Sequence, residues 1–479
     1  MLTLGTVLVA LTGSRPDGML FEQPISDVVI DSRQAGQKAM FVALPGENTD
    51  GHQFLHQSFA AGAVVALVQQ DVAGDFTVLD LRQSPTIDQD WHLAQFPLCL
   101  RVADSLAALQ RVAQFWRELL DIRVVAVTGS VGKTTTKELT AAVLARRFHT
   151  SKNEGNLNNE IGLPLSLLKL RERHERAVLE MGFYTLGEIG LLCELAQPHV
   201  GVITNVYPVH LERAGTLDNI SAGKGELVEA LPAEPDGVAV LNADEPAVMA
   251  MADRTRARVF TYGLDPEADL WASHVEGMGL SGIRFRVHYR GEILYVRVPL
   301  LGRHSVHTAL RAAAVGLTEG LTWQEILEGL QAQDGQAQLR LYAVSGPRES
   351  IILDDTYNAS PESTIAALNL LEDLDGPRHV AVLGDMLELG SFEQQGHKAV
   401  GTRARDVADV LITVGERAEM IADGARAAGM QETEITRCRD GEEALMVLKE
   451  EMNPGDVVLV KGSRGMGLNR LVNVLETQS

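Results

Sequence analysis

The stretch 123–144, R-V-V-A-V-T-G-S-V-G-K-T-T-T-K-E-L-T-A-A-V-L, restricts the fold more than any other part of the chain. Residues 124–127 form a β-branched apolar run that predicts a buried strand, Gly129 and Gly132 mark a tight loop, and 137–144 carries helical apolar spacing. Strand, glycine loop and helix in that order make a phosphate site. Glycines let backbone N–H groups approach oxygens, and the helix start adds partial positive charge. Lys133 can then reach the terminal phosphates and the Thr134 hydroxyl can hold magnesium. Thr128, Gly129, Ser130, Val131, Gly132, Lys133, Thr134 and Thr135 are therefore read as the cradle of a nucleoside triphosphate. The loop is shorter than the common P-loop, because Val127 and not glycine stands five residues before Gly132.

A chain of 479 residues is about three times a typical domain, so two to four domains are expected. Apolar residues at 45% and charged residues at 22% describe a globular chain and exclude a wholly disordered one. No stretch approaches the ~18 uninterrupted apolar residues of a membrane helix. The N-terminus lacks a basic start and a small-residue cleavage site, so no signal peptide is read and a cytoplasmic location is expected. Cys99, Cys193 and Cys438 are odd in number and widely spaced, which suits buried thiols in a reducing compartment. Forty-two basic against sixty-four acidic residues leave a net charge of -22, which repels nucleic acid and anionic lipid.

Residues 1–100 read as a small α/β domain. Its D-S-R (Asp31, Ser32, Arg33) and D-G-H (Asp50, Gly51, His52) clusters look, by chemistry alone, like turns. A helix capped by Ser105 leads into the phosphate-loop strand, so a second domain is placed at 101–333. Its further apolar runs end near Glu180, His210 and Asn242. Alternation of strands with helical segments predicts a parallel sheet whose carboxyl ends share one crevice, making Lys133, Thr134, Glu180, His210 and Asn242 neighbours. Asn156 and Asn159 lie in an asparagine- and glycine-rich loop beside it, as substrate contacts or turn caps. Lys224, between Gly223 and Gly225, reads blind as a solvated charge on a helix. Alternating runs over 258–300 suggest a hairpin. A helix follows, opening with Arg303, His304 and His307, and its paired histidines are weak evidence for a metal.

The polar segment 331–338 is taken as a linker to a third domain, 334–479. Four runs there end in aspartate, glycine or lysine and predict a doubly wound sheet with Asp355, Asp385 and Lys461 along its carboxyl edge. G-S-R-G-M-G at 462–467 has the wrong spacing for a dinucleotide fingerprint and is read as an exposed basic loop with Lys461 and Arg464.

Taken together these strings resemble the Mur ligases, the amide-forming enzymes of bacterial cell-wall synthesis. The short ATP loop agrees, as do E-M-G with N-V-Y-P-V-H-L-E and A-G-K-G-E-L, G-R-H with L-R-A-A-A, and D-D-T-Y-N-A-S-P with L-G-D-M-L-E-L-G. The last pair points to the branch that adds D-alanyl-D-alanine to UDP-N-acetylmuramoyl-tripeptide, and the D-N-P signature of the preceding ligase is absent from the chain. The resemblance implies three domains: an N-terminal one for the uridine end of the substrate, a central P-loop-type ATPase, and a C-terminal Rossmann-like lobe. It implies ATP and two magnesium ions, and a chain acting as a monomer. Thr134 and Glu180 map onto magnesium ligands, His210 onto the histidine of a second metal, and Lys224 onto a lysine carbamylated by carbon dioxide. Lys133, Glu180, His210 and Lys224 would carry catalysis. Asn242, Arg303 and His304 would meet the nucleotide, and Ser32, Arg33, Asn156, Asn159, Asp355, Tyr357, Asn358, Lys461 and Arg464 the other substrates. Ser305 and Thr308 depart from the amides usual in the family, and hydroxyls are shorter and lack the paired donor and acceptor.

The reaction implied is transfer of the γ-phosphoryl group of ATP to the tripeptide carboxylate, followed by attack of the dipeptide amine on the acyl phosphate. Two rival readings stand beside it: a sister ligase using another amine, and a nucleotide-switched binding protein whose loop only senses ATP.

Overall fold

Short apolar runs bounded by turns build three sheets in this chain. The computed structural model describes residues 1–14, 19–46, 49–74, 76–82, 95–332 and 341–476. They group into two compact units, one of Met1–Ala126, Phe148–Gly182 and Gly187–His199, the other of Val127–Arg147, Phe183–Leu186 and Val200–Ser479.

In the first unit, β1 (Val28–Val29), β2 (Met40–Val42), β3 (Val65–Val68), β4 (Thr77–Asp80) and β5 (Leu98–Arg101) form a parallel sheet in the order β1-β2-β3-β5-β4. Phe41, Ala66, Val68 and Cys99 are among the residues of one core cluster on this sheet. The helix Ser105–Glu118 follows. Its cap is Asp104, which accepts from Leu106 N and Ala107 N, and not the expected Ser105; an extended aspartate carboxylate reaches both free N–H groups. The buried Arg117 donates to the carbonyl oxygens of Ala196 at 2.9 Å, Leu120 at 3.0 Å and Ile122 at 2.8 Å, which pins the chain just before β6 (Arg123–Thr128). Beside β6 lies β8 (Arg176–Glu180), and beside that β7 (Thr150–Lys152).

In the second unit, β9 (Val200–Ile203), β10 (Val238–Asn242), β11 (Arg258–Gly263), β12 (Leu270–Gly277), β13 (Ile283–Tyr289) and β14 (Glu292–Val298) run in the order β14-β13-β12-β11-β10-β9. Pairing is parallel from β9 to β12 and antiparallel from β12 to β14. The expected hairpin is therefore one turn of a three-stranded meander, tightened at Arg290 and Gly291, both at positive φ. The phosphate-loop helix Lys133–Leu144 packs on the helices Ser305–Thr318 and Trp323–Gln331. Beyond Ala332 the linker expected at 331–338 lies outside the described residues.

The last sheet holds β15 (Tyr342–Ser345), β16 (Ile351–Asp355), β17 (His379–Gly384), β18 (Val410–Val414), β19 (Ile435–Cys438) and β20 (Val457–Lys461), in the order β15-β16-β20-β17-β18-β19. All pairs are parallel except β15 with β16. Along β17, Ala381 and Leu383 enter one core cluster and Val380 and Val382 the other, so both faces are covered and the run reads as continuously apolar. The sequence reading of Lys461 as part of an exposed loop is corrected. It closes a central strand opposite Asp355 and is 2% exposed.

The helices Glu393–Val407 and Glu419–Ala427 cross where Gly401 faces Ile421, and a Cβ on Gly401 would stand 2.0 Å from the Ile421 carbonyl oxygen. Gly401→Ala must push the two helices apart, at a cost of about 1–3 kcal/mol. Urea unfolding followed by circular dichroism should show a lower midpoint; an unchanged midpoint contradicts this packing.

Candidate active site

The chain passes from β6 into the glycine loop with no room for side chains. Gly129 sits at φ +143°, and a Cβ there would lie 1.8 Å from Thr204 Oγ1; Gly132 sits at φ +83°. The loop is bound to the segment after β9. Ser130 N donates to Asn205 O at 3.0 Å and Val131 N to Asn205 Oδ1 at 2.8 Å, while Asn205 Nδ2 returns a bond to Val131 O at 3.1 Å. Tyr207 N donates to Ser130 Oγ at 2.8 Å, and Ser130 Oγ to Tyr207 O at 3.0 Å. Lys133 Nζ donates to the loop carbonyls of Gly129 at 2.8 Å and Ser130 at 3.2 Å, so the ammonium is held against the loop. The helix begins at Lys133, four residues before the apolar spacing that announced it, and Thr134 in its first turn is buried.

One cavity of about 320 Å³ opens on this loop. Lys133 and Thr135 line it with His210 from beyond β9 and Asn242 from the end of β10. Asp355, Asn358 and Lys461 line it from the last sheet. Lys461 Nζ donates to Asp355 Oδ2 at 2.6 Å and to Asn358 O at 2.9 Å, an almost water-free ion pair at the carboxyl ends of β16 and β20. His304 also lines the cavity.

Lys224 does not line this cavity; it is 1% exposed, its ammonium 4.8 Å from the centre of the Phe183 ring. Burial, and next the charge of Lys133, hold its amine well below the ordinary lysine value. The blind reading of Lys224 as a solvated charge is thereby corrected: Gly223 and Gly225 press it inward, each with a position where a Cβ would meet a neighbouring side chain at 2.0 Å. His210 feels both lysines. Burial lowers its imidazole below the usual range, opposed by a hydrogen bond between Nδ1 and the Glu388 carboxylate. Both partners of that bond sit at positive φ, His210 at +55° and Glu388 at +63°, a strained backbone that the surrounding fold must hold.

Other site candidates are placed differently. Glu180 belongs to the first unit, where Asn158 Nδ2 donates to its Oε1 at 2.9 Å and Asn153 brackets its backbone at 2.9 and 3.0 Å. Asn159 Oδ1 accepts from Gly162 N at 2.9 Å, a turn-capping bond, and Asn156 offers its carbonyl to Asn158 N at 2.8 Å. Ser32 Oγ donates to Gln57 at 3.1 Å, and Arg33 lies exposed in a pair with Asp31 at 2.6 Å. Arg303 is not on the cavity wall; it reaches Asp373 at 2.9 Å. Tyr357 and Arg464 also stand off the wall, the guanidinium 5.7 Å from the ring centre. The paired histidines separate: His307 Nε2 lies 2.8 Å from Asp244 Oδ2, and among the described residues no group of three His, Cys, Asp or Glu could hold a metal.

Sequence reading missed Asn205, Tyr207, Glu245, Arg311, Glu362 and Glu388. The Tyr207 hydroxyl donates to Glu245, and burial, then that carboxylate, keeps it a phenol. Glu362 on the wall has its carboxyl raised by burial, and its Oε2 finds no hydrogen-bond partner among the described residues. Only the strings N-V-Y-P-V-H, L-R-A-A-A and L-E-L-G carried any signal for these residues.

Comparison with known proteins bears on the whole chain. Residues 127–316 match the model of the Mur ligase middle domain, 340–464 that of the Mur ligase glutamate ligase domain, and 24–90 that of the Mur ligase family catalytic domain. A protein of Bacillus subtilis (strain 168) called UDP-N-acetylmuramoyl-tripeptide--D-alanyl-D-alanine ligase is 34% identical over 99% of this chain and 98% of its own. A crystal structure of MurF from Acinetobacter baumannii superposes with a TM-score of 0.83 at 29% identity, over 99% of this chain and 98% of that one. MurF of Thermotoga maritima in complex with ADP gives 0.77 at 27% identity, over 94% and 97%.

Gly129→Ala places a methyl group inside the van der Waals shell of Thr204 and strains a left-handed backbone. Binding of a fluorescent nucleotide should weaken at least about tenfold, as expected for about 1.4 kcal/mol of lost loop geometry. Wild-type affinity in this variant would show that the loop does not need its observed shape.

Proposed function

The chain belongs to the Mur ligase family and is an ATP-dependent ligase that joins D-alanyl-D-alanine to UDP-N-acetylmuramoyl-tripeptide in peptidoglycan synthesis, and we propose how its own residues carry that reaction. The observation supporting the proposal is the cavity that brings Lys133 of the phosphate loop and the Asp355–Lys461 pair of the last sheet onto one wall.

The triphosphate lies along Gly129–Thr135, with backbone N–H groups and the helix start drawing its charge. Lys133 leaves the loop carbonyls for the terminal phosphate, and the tripeptide carboxylate attacks the γ-phosphorus in line, breaking its bond to the bridging oxygen so that ADP leaves. The acyl phosphate so formed is attacked by the dipeptide amine. The tetrahedral oxyanion then collapses to an amide and inorganic phosphate, and every oxygen lost from the carboxylate leaves on phosphorus. Asp355 and Asn358 orient the amine, and Arg464 on Tyr357 meets the dipeptide carboxylate. Ser32 and Arg33 serve the uridine end, and Asn156 and Asn159 the peptide. Asn242 and His304 contact the nucleotide, and Arg303 joins them on giving up its bond to Asp373.

Magnesium would draw on single donor groups, since no ready-made cluster of three His, Cys, Asp or Glu stands among the described residues. The Thr134 hydroxyl and the Glu180 carboxylate are oxygen donors of the kind magnesium takes, and His210, with Nδ1 engaged by Glu388, would offer a nitrogen. Burial holds the Lys224 amine well below its ordinary value, towards the neutral form. A neutral amine is the form that adds carbon dioxide, and the carbamate restores a carboxylate-like oxygen donor there. Magnesium bound by these groups would withdraw charge from the transferring phosphoryl oxygens.

Incubation with UDP-muramoyl-tripeptide, D-alanyl-D-alanine and ATP should give, by mass spectrometry, a product equal to tripeptide plus dipeptide less water. Phosphate release should need the dipeptide. Equal release with single amino acids favours a sister ligase, and equal release without any amine favours an ATP switch.

Lys224→Ala should reduce turnover by at least about a thousandfold while ADP binding persists, and a short-chain carboxylic acid should restore part of the rate. Normal turnover in this variant overturns the carbamate assignment.

A further inference from the structure

Arg311 is a buried cation with no ion-paired acid, like Arg117, but where Arg117 spends its donors on three backbone carbonyls Arg311 faces the phosphate loop. It is 5% exposed, in the middle of the helix Ser305–Thr318 and one turn beyond Thr308. Nε donates to the Tyr262 hydroxyl at 2.7 Å and Nη1 to Thr136 Oγ1 at 2.7 Å. Tyr262 is itself fully buried, and burial raises its phenol to about 12, so it gives the guanidinium a neutral hydroxyl and not a counter-charge, while Asp244 and Glu245 act on the same phenol without a hydrogen bond to Arg311. Among the described residues no carboxylate forms an ion pair with Arg311 and no protein atom accepts from Nη2. A buried positive charge held only by hydroxyls is poorly stabilised by the protein alone.

Its place explains what would answer it. Nη1 lies 3.2 Å from where a Cβ of Gly132 would stand, and Thr136 belongs to the first turn of the helix that the phosphate loop opens. Arg311 lines the same cavity as Gly132, Lys133 and Thr135. Two anchored donors fix the plane of the guanidinium, and its third nitrogen is left for a ligand.

We propose that Arg311 is a nucleotide-binding residue: its Nη2 donates to an oxygen of the phosphate chain, making it a second fixed cation beside Lys133. The inference rests on the nucleotide reading of the phosphate loop. It adds a residue from a helix that is remote in sequence and anchored before the ligand arrives, so little side-chain freedom is lost on binding. Tyr262 and Thr136 act as positioning residues. They hold the fork so that its remaining face meets phosphate.

The test is calorimetric titration of ADP, with magnesium, into the full-length protein as wild type, Arg311→Lys and Arg311→Met, with adenosine binding followed by NMR. ADP should bind Arg311→Met about 10–100-fold more weakly, the range of a charge-assisted hydrogen bond, and Arg311→Lys at an intermediate level. Adenosine should bind all three alike. Wild-type ADP affinity in Arg311→Met, or an equal loss for adenosine and ADP, overturns the proposal. Tyr262→Phe keeps the cation but frees one anchor, and should weaken ADP binding less than Arg311→Met does while sparing adenosine; no effect on ADP also counts against it. Failure of the wild-type protein to bind ADP would sink the nucleotide reading itself.

Discussion

Positive charge withdrawn from water is the constraint on which this structure turns. The chain carries a net charge of -22, yet Lys224, Arg311 and Lys461 are each 5% exposed or less, and Lys133 is held by the carbonyls of its own loop. Each cation is kept in a different way. Lys461 has the Asp355 carboxylate, Lys224 is driven towards neutrality, Lys133 is solvated by backbone oxygens, and Arg311 has only hydroxyls. A phosphate chain would supply the counter-charge that Arg311 lacks and draw Lys133 from its carbonyls. Concentrating the charge in a cavity also shields it from the acidic surface, where it would otherwise be screened.

The fold supplies the rigidity this needs. Strands buried on both faces deliver their last residues to one edge, so Asn242, Asp355 and Lys461 are positioned by sheet register more than by loops. The phosphate loop is stitched to Asn205 and Tyr207 through backbone and side chain, and Gly129 leaves no gap against Thr204. A ligase handling an acyl phosphate gains from that rigidity, because water must be kept from the intermediate while two substrates meet it.

Much of this was legible in the residues. A β-branched run before glycines predicted strand and loop, and four apolar runs predicted the doubly wound last sheet, because periodicity reports burial directly. What escaped was decided by tertiary neighbours. β15 and β19 are short strands with partly exposed patterns that sequence does not set apart from loops. Lys461 looked solvated because nothing in G-S-R-G-M-G reveals that its strand is central. Lys224 looked solvated because the inward turn of its helix face depends on Phe183 and Arg254, which lie far away in sequence. Arg311 was invisible because an arginine in an alanine-rich helix reads as an exposed charge until its helix is known to back onto the phosphate loop. For the residues Asn156 and Asn159, chemistry favoured turn capping, and the Asn159 bond to Gly162 N agrees with that.

The central claim is that the cations around the cavity serve phosphoryl transfer to a carboxylate before the amide forms. Oxygen tracing tests it most directly: tripeptide labelled with ¹⁸O in its terminal carboxylate is converted with ATP and dipeptide, and the released phosphate is weighed by mass spectrometry. The account predicts one labelled oxygen in each phosphate formed. Phosphate free of label, alongside normal amide product, would contradict it.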